Sequence, residues 1–225
     1  FDTDINTIRG QETQYATFDP LTTNCPATFS NGNLSAQVTG PGCLGSSIEM
    51  KRGKWYCEII STAHGSTHMG IGIAKAEFVD GARQPDEGQH RGGWAMWHIS
   101  GDGSYRKIGF GASWGSQSTT WEDWGQVWGA SGTYDVMGLA LDMDNRTLTY
   151  YKNGVNIGTN ENNLTRTLDW GAKIDAANDN GTILPNTSWA DGDHGMVFVV
   201  GNGQSSATSD FEANFGQKPW RYAPP

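Results

Sequence analysis

The sequence predicts an all-β fold built from antiparallel strands, and three observations lead there. Residues 134–157, YDVMGLALDMDNRTLTYYKNGVNI, alternate with a period of two and carry two turn signals. Residues 54–61, KWYCEIIS, form a second run of β-favouring side chains. Helical periodicity never goes beyond a faint i, i+3, i+7 pattern in residues 121–128, where Gly125 interrupts it and leaves room for one or two turns.

Residues 134–157 read as a three-stranded meander. Met137, Leu139, Leu141 and Met143 share one face, and Val136, Gly138, Ala140 and Asp142 share the other. Asp144-Asn145 makes the first turn and Asn153-Gly154 the second; Asn-Gly tolerates positive φ at both central positions, which matches the twist of the flanking strands. A meander buries little surface alone, so other strands must cover it.

The remaining elements follow along the chain. Residues 1–23 are polar and weakly periodic and read as an extended arm, with a lone strand at 14–18. Asn31-Gly32 is a turn signal, 34–38 a short strand, Gly40-Pro41-Gly42 a break, and 46–50 a further short strand. In 54–61, Trp55, Cys57 and Ile59 share one face and Tyr56, Glu58 and Ile60 the other, a largely two-sided apolar pattern that suits a central strand. Together with Leu139, Leu141, Ile71 and Val199, Trp55 and Ile59 are expected in one core. Residues 68–74 alternate Met69, Ile71 and Ile73 with Gly70 and Gly72, glycines that invite a ring to pack over them. Strands at 94–99, 105–110, 196–201 and 211–215 complete the set. Three connections, 76–93, 111–132 and 159–195, exceed the length of ordinary loops, which makes them the functional candidates.

Composition narrows the function classes. The 225 residues fit one large all-β domain, and no linker divides them. Glycine, at 31 residues, is about twice its usual share, in keeping with short strands and many turns. Fifteen basic against 24 acidic residues give a net charge of −9, which repels phosphate backbones; no nucleic-acid partner is expected. No run of 18 apolar residues occurs, so no membrane insertion is expected. The chain starts at Phe1 without a signal peptide, which suggests a fragment or processed product. The odd cysteine count argues against a full disulfide framework. A Cys25–Cys43 bridge is open, and Cys57 is expected to be buried and unpaired.

Four motifs together resemble one family. GKWYCEI at 53–59, HMGIGIAK at 68–75, DVMGLALDMDNRTLTYYKNG at 135–154 and ANFGQKPW at 213–220 follow in order and resemble a SPRY domain over 24–225. The ending NFGQKPWRYAPP is similar to that of SPRY domains in bacteriophage and prophage virion proteins, with Lys218 and Trp220 in place of the commoner Arg and Phe. The resemblance implies a bent antiparallel β-sandwich of concanavalin-like lectin architecture with long loops. It implies a binding module with no catalytic residues and no cofactor, whose partner surface is made by loops at one end. In a phage particle such a module would be a tail-fibre, receptor-binding or decoration element. Its partners would be neighbouring virion subunits or a host-surface glycan or protein, and it would be homo-oligomeric. An intracellular adaptor is the alternative class, although no RING-like or B-box-like Cys/His pairs precede the domain.

Within the loops, Trp114, Trp121, Trp124 and Trp128 are the sharpest binding candidates, with Glu122 and Asp123 between them. Exposed, such rings suit glycan or protein recognition; buried, they form a satellite core that pins a long loop. The acidic groups at 142–145, 175–180 and 191–193 have oxygens for Ca²⁺, yet none follows the twelve-residue calcium loop, and turn chemistry accounts for them; no metal is expected. A glycan-cleaving enzyme needs paired carboxylates, and Asp142 and Asp144 alternate, but the second sits at a turn. No zinc spacing, GxSxG or P-loop occurs.

Overall fold

The computed structural model describes residues 15–22, 25–64, 68–76, 94–99, 105–110, 122–123, 135–144, 147–156, 166–167, 195–202 and 208–225. Their strands are β1 (Ala27–Ser30), β2 (Ser35–Thr39), β3 (Gly42–Gly45), β4 (Lys54–His64), β5 (His68–Lys75), β6 (Trp94–Ile99) and β7 (Tyr105–Phe110). Then follow β8 (Glu122–Asp123), β9 (Val136–Asp142), β10 (Thr147–Lys152), β11 (Val155–Asn156), β12 (Arg166–Thr167), β13 (Met196–Asn202) and β14 (Thr208–Asn214). They form two antiparallel sheets. The first runs β1-β2-β14-β4-β9-β10-β11 with β12 also on β10; the second runs β3-β13-β5-β6-β7-β8.

The expected meander is β9-β10-β11, with Leu148 opposite Leu141 and Tyr150 opposite Leu139. Asn153 and Gly154 turn with φ of 50° and 77°, the left-handed pair that an Asn-Gly hairpin requires. The Asn153 side chain locks the turn to the start of β9: its Oδ1 accepts from Val136 N at 2.9 Å, and its Nδ2 donates to Asp135 Oδ1 at 2.7 Å.

The inner faces of the two sheets make one core. Cys57, Ile59, Leu139 and Leu141 from the first sheet meet Ile71, Ile73, Phe198 and Val200 from the second. Tyr150 crosses the layer and donates its hydroxyl to the Ile71 carbonyl at 3.3 Å, so a buried polar atom is satisfied in the apolar interior. Part of the arm joins this core. Phe18 is buried, its N–H donates to Asn33 O, and the Asp19 N–H donates to Gly45 O.

Several expectations are corrected. Trp55 is 37% exposed, because β4 begins beyond the edge of the core. Val199 is fully buried but belongs to a second cluster with Cys43, Ala74 and Val197. These residues alternate with the core-facing ones on β3, β5 and β13, which places them on the far face of the second sheet. The strand expected at 46–50 lies earlier, at Gly42–Gly45; Ser46 and Met50 make only single bridges, to Phe18 and Met196. Gly42 starts that strand rather than breaking it, since a side chain there would meet Cys25 Sγ at 2.9 Å. The lone strand expected at 14–18 is a single bridge at Phe18. Strand β1, unforeseen, pairs with β2 across the Asn31-Gly32 turn. No disulfide joins Cys25 to Cys43; both are buried thiols, as is Cys57.

Candidate functional site

Antiparallel register determines where each connection leaves the sandwich. Lys75, the last residue of β5, lies opposite Met196, the first of β13. Trp94, the first of β6, lies opposite both Ile73 and Phe110, the last residue of β7. Met50 bridges to Met196 and leads directly into Lys54, which pairs with Asp142 at the end of β9. Strand β12 pairs with Thr147 and Leu148, at the start of β10. The strand ends that carry 76–93, 111–121 and the return into Gly195 therefore gather at one end of the sandwich. The 51–53 turn and Met143-Asp144 lie at that same end.

Of the residues expected to bind, Glu122 and Asp123 form strand β8, opposite Ile108 and Lys107. The faint helical pattern gives way there to sheet pairing, because the edge of β7 satisfies the backbone of this pair. Trp114, Trp121, Trp124 and Trp128 lie outside the described residues, as do the acidic groups at 175–180 and 191–193.

The described rim of this end is held by carboxylates. Gly53, at a φ of 78°, turns the chain, and its N–H donates to Asp144 Oδ1 at 3.0 Å while its carbonyl accepts from Met143 N. Asp142 Oδ1 accepts from Asp144 N at 3.1 Å, and its Oδ2 lies 3.4 Å from Lys54 Nζ. Asp142 and Asp144, weighed above as calcium ligands or as a hydrolytic pair, are thus the fasteners of two adjacent turns. Among the described residues, no three His, Cys, Asp or Glu side chains converge as metal ligands would. Trp55 stands at this rim, its indole N–H donating to Arg52 O at 2.6 Å, which fixes the ring.

A second feature lies on the outer face of the first sheet and escaped the sequence reading. Glu58 is 2% exposed. Its Oε1 accepts from Tyr222 N at 2.8 Å and its Oε2 from Arg221 N at 3.0 Å. Asn214 closes the turn that brings the chain back: its Oδ1 accepts from Gly216 N and Lys218 N, and its Nδ2 donates to the Lys218 and Pro219 carbonyls. Residues 215–225 therefore strap the outer face of β4 and β9. Tyr56 meets Trp220 edge to face at 4.9 Å, and its ring occupies the place that a side chain at Gly138 would need. Burial, then the neighbouring Glu58 charge, pushes the Tyr56 phenol well above its ordinary range; burial raises Tyr151 as well. The signal available in the sequence was Glu58 itself, a lone carboxylate in the apolar run WYCEII. Beside the strap, an open cleft of about 360 Å³ is lined by Trp55, Tyr56, Tyr151, Pro224 and Pro225.

The family model described as the SPRY domain matches residues 54–168, about half of the chain. The ATP-dependent RNA helicase Ddx1 of Drosophila melanogaster is 31% identical over 134 residues, 58% of this chain. The chain spans only 16% of that relative's length. The solved SPRY domain of human HERC1 is similar with a TM-score of 0.51 at 17% identity, covering 90% of this chain and 99% of that one. The TRIM65 PSpry domain gives 0.50 at 12% identity, covering 93% and 98%. At these identities the two structures speak to the fold alone.

Proposed function

The chain belongs to the SPRY domain family, and from that premise we propose that it is a non-catalytic protein-binding module whose working surface is the loop-bearing end of the sandwich. One observation carries the proposal: both strand ends of the 76–93 connection, the strand end that opens 111–121 and the strand start that receives the chain at Gly195 gather at a single end. Long loops on a rigid sheet are where recognition concentrates. Trp114, Trp121, Trp124 and Trp128, with Glu122 and Asp123, are the candidate contacts of the second long connection, and the fixed, half-exposed Trp55 is a ring at the rim.

The finer setting we propose is a bacteriophage particle, supported by the resemblance of NFGQKPWRYAPP to the endings of virion SPRY domains. The module would there be a homo-oligomeric adhesion or decoration element. It would bind neighbouring virion subunits or a host-surface protein or glycan through weak contacts multiplied by copy number. An intracellular adaptor would use the same end for a different partner.

Trp121→Ala and Trp124→Ala test the surface, with Val155→Arg at the exposed opposite end as a control. Binding to host cells and to neighbouring virion proteins is measured beside the melting temperature. Lost binding at constant melting temperature in either Trp variant, with the Val155 variant intact, is the expected result. Binding that merely follows stability would make those rings core and place the surface elsewhere. A partner found only among intracellular proteins would replace the virion setting with the adaptor.

A further inference from the structure

Two sheet edges, β3 and β1, are finished differently. Strand β3, an edge of the second sheet, is covered by the arm: the Asp19 N–H donates to Gly45 O, and the Ser47 N–H just beyond β3 donates to Thr17 O. Strand β1 is an edge of the first sheet. The Thr39 N–H donates to Pro26 O, so Thr28 and Ser30, in phase with Pro26 and opposite Gln37 and Ser35, direct their backbone groups toward β2. Ala27 and Phe29 turn their N–H and C=O groups the other way, and among the described residues nothing pairs with them. The usual protections of an edge are missing. Strand β1, ATFS, has no charge, no proline and no bulge, and β2, SAQVT, is uncharged as well. On β14, the next strand in, Asp210 accepts from Gln37 Nε2 and Glu212 is paired with Lys218, both at 2.9 Å.

We infer that β1 is the contact through which a second copy of this chain binds, edge to edge and antiparallel, about a two-fold axis at Thr28. The inference rests on the homo-oligomeric reading above and names its interface. An axis at Thr28 sets Ala27 of each copy opposite Phe29 of the other. These are the residues with open backbone groups, so every free donor and acceptor on both edges is used. The axis stands perpendicular to the sheet, which puts the core-facing sides of both copies on one side. Ala27 and Phe29 are half-buried and pack against the core. In the pair each Phe29 ring meets the small Ala27 of the other copy, and the exposed Thr28 side chains meet each other, a favourable cross-strand pair. Charge points the same way. At a net −9 two copies repel, so a self-contact requires a neutral patch, and β1 and β2 supply one. A foreign strand would be selected on so acidic a chain by its charge, and this edge offers none; its register is instead self-complementary, as an isologous contact must be. So short an edge makes a small, weak contact, which suits assembly by copy number.

The experiment is sedimentation of the full chain over a concentration series, with amide hydrogen exchange at its two ends. The parent is expected to dimerise as concentration rises. The Ala27 and Phe29 N–H groups should then exchange more slowly, while those of Thr28 and Ser30, already directed to β2, change little. Thr28→Lys sets like charges opposite each other on the axis and should weaken the dimer at least about tenfold. Thr28→Cys should oxidise to a covalent dimer, because a residue on the axis faces its own copy with Cα atoms about 4.5 Å apart, within disulfide range. Thr62→Cys, exposed on β4, should not, and the three native thiols are buried. Thr28 is exposed, so both of its variants are expected to keep the parent's melting temperature. The inference is overturned by a chain that stays monomeric to millimolar concentration, by a dimer that Thr28→Lys leaves intact, or by Thr28→Cys cross-linking no faster than Thr62→Cys. Protection of the Ala27 and Phe29 amides only when another protein is added would overturn it too, in favour of a foreign strand. Trp121→Ala reads partner binding by the loops and should leave the dimer unchanged, so the loop surface and this contact fail separately; a dimer lost in that variant would place the self-contact at the loops instead.

Discussion

Replacing Glu58 by Gln should release the strap. In the native chain the carboxylate, 2% exposed, accepts two short backbone bonds, 2.8 Å from Tyr222 N and 3.0 Å from Arg221 N. The third donor, Asn214 Nδ2 at 3.4 Å, also reaches the Lys218 and Pro219 carbonyls and contributes little by itself. A hydrogen bond to a buried charged group is worth about 1.5–3 kcal/mol net, against about 1 kcal/mol for a neutral one. Gln keeps one acceptor oxygen, so one bond survives in weaker form while the other amide faces an NH₂ group. The expected loss is about 2–4 kcal/mol, with a fall in melting temperature of about 4–16 °C for a chain of this size. Urea denaturation gives the global value, and amide hydrogen exchange gives the local one: the Arg221 and Tyr222 N–H groups should exchange far faster in the variant. Unchanged exchange at both amides together with a stability loss below about 0.5 kcal/mol would refute the strap as a structure organised by this carboxylate.

Three further outcomes are expected. Leu141→Ala removes a side chain that is 1% exposed in the core between the sheets and should cost about 2–5 kcal/mol by urea denaturation; a smaller loss would mean that the site collapses freely. Burial pushes the Cys25 thiol from its ordinary 9.0 up to about 12 and raises Cys57 still more firmly, with the Glu58 charge as a lesser cause. The folded chain therefore keeps protons that the unfolded chain releases, so this contribution is whole below pH 9 and is lost as pH rises from about 9 toward 12. Denaturation midpoints across that window should fall less steeply for Cys25→Ala than for the parent, and native Cys57 should resist thiol reagents.

The sequence by itself determined the all-β class, the strands expected at 54–61, 68–74 and 196–201, which the structure extends to 64, 75 and 202, the first two strands of the 134–157 meander, and the Asn153-Gly154 hairpin. Each of these is a local property: a period of two, β-branched and aromatic content, or the tolerance of Asn-Gly for positive φ. Tertiary structure alone decided which face of each strand is covered and which strand neighbours which. Trp55 and Cys57 share a face by alternation, yet one stands at the rim and the other is fully buried, because the second sheet covers only part of β4. Val199 alternates as a core residue should, but its side of β13 is the far face of the second sheet. The candidate tryptophans were legible as composition, and the meeting of the ends of β5 and β7 with the starts of β6 and β13 required the register of the second sheet. Glu58 looked like a lone charge in an apolar run; its partners Arg221 and Tyr222 lie 163 and 164 residues away in sequence, a pairing that exists only once β14 returns beside β4 and the chain folds back over it.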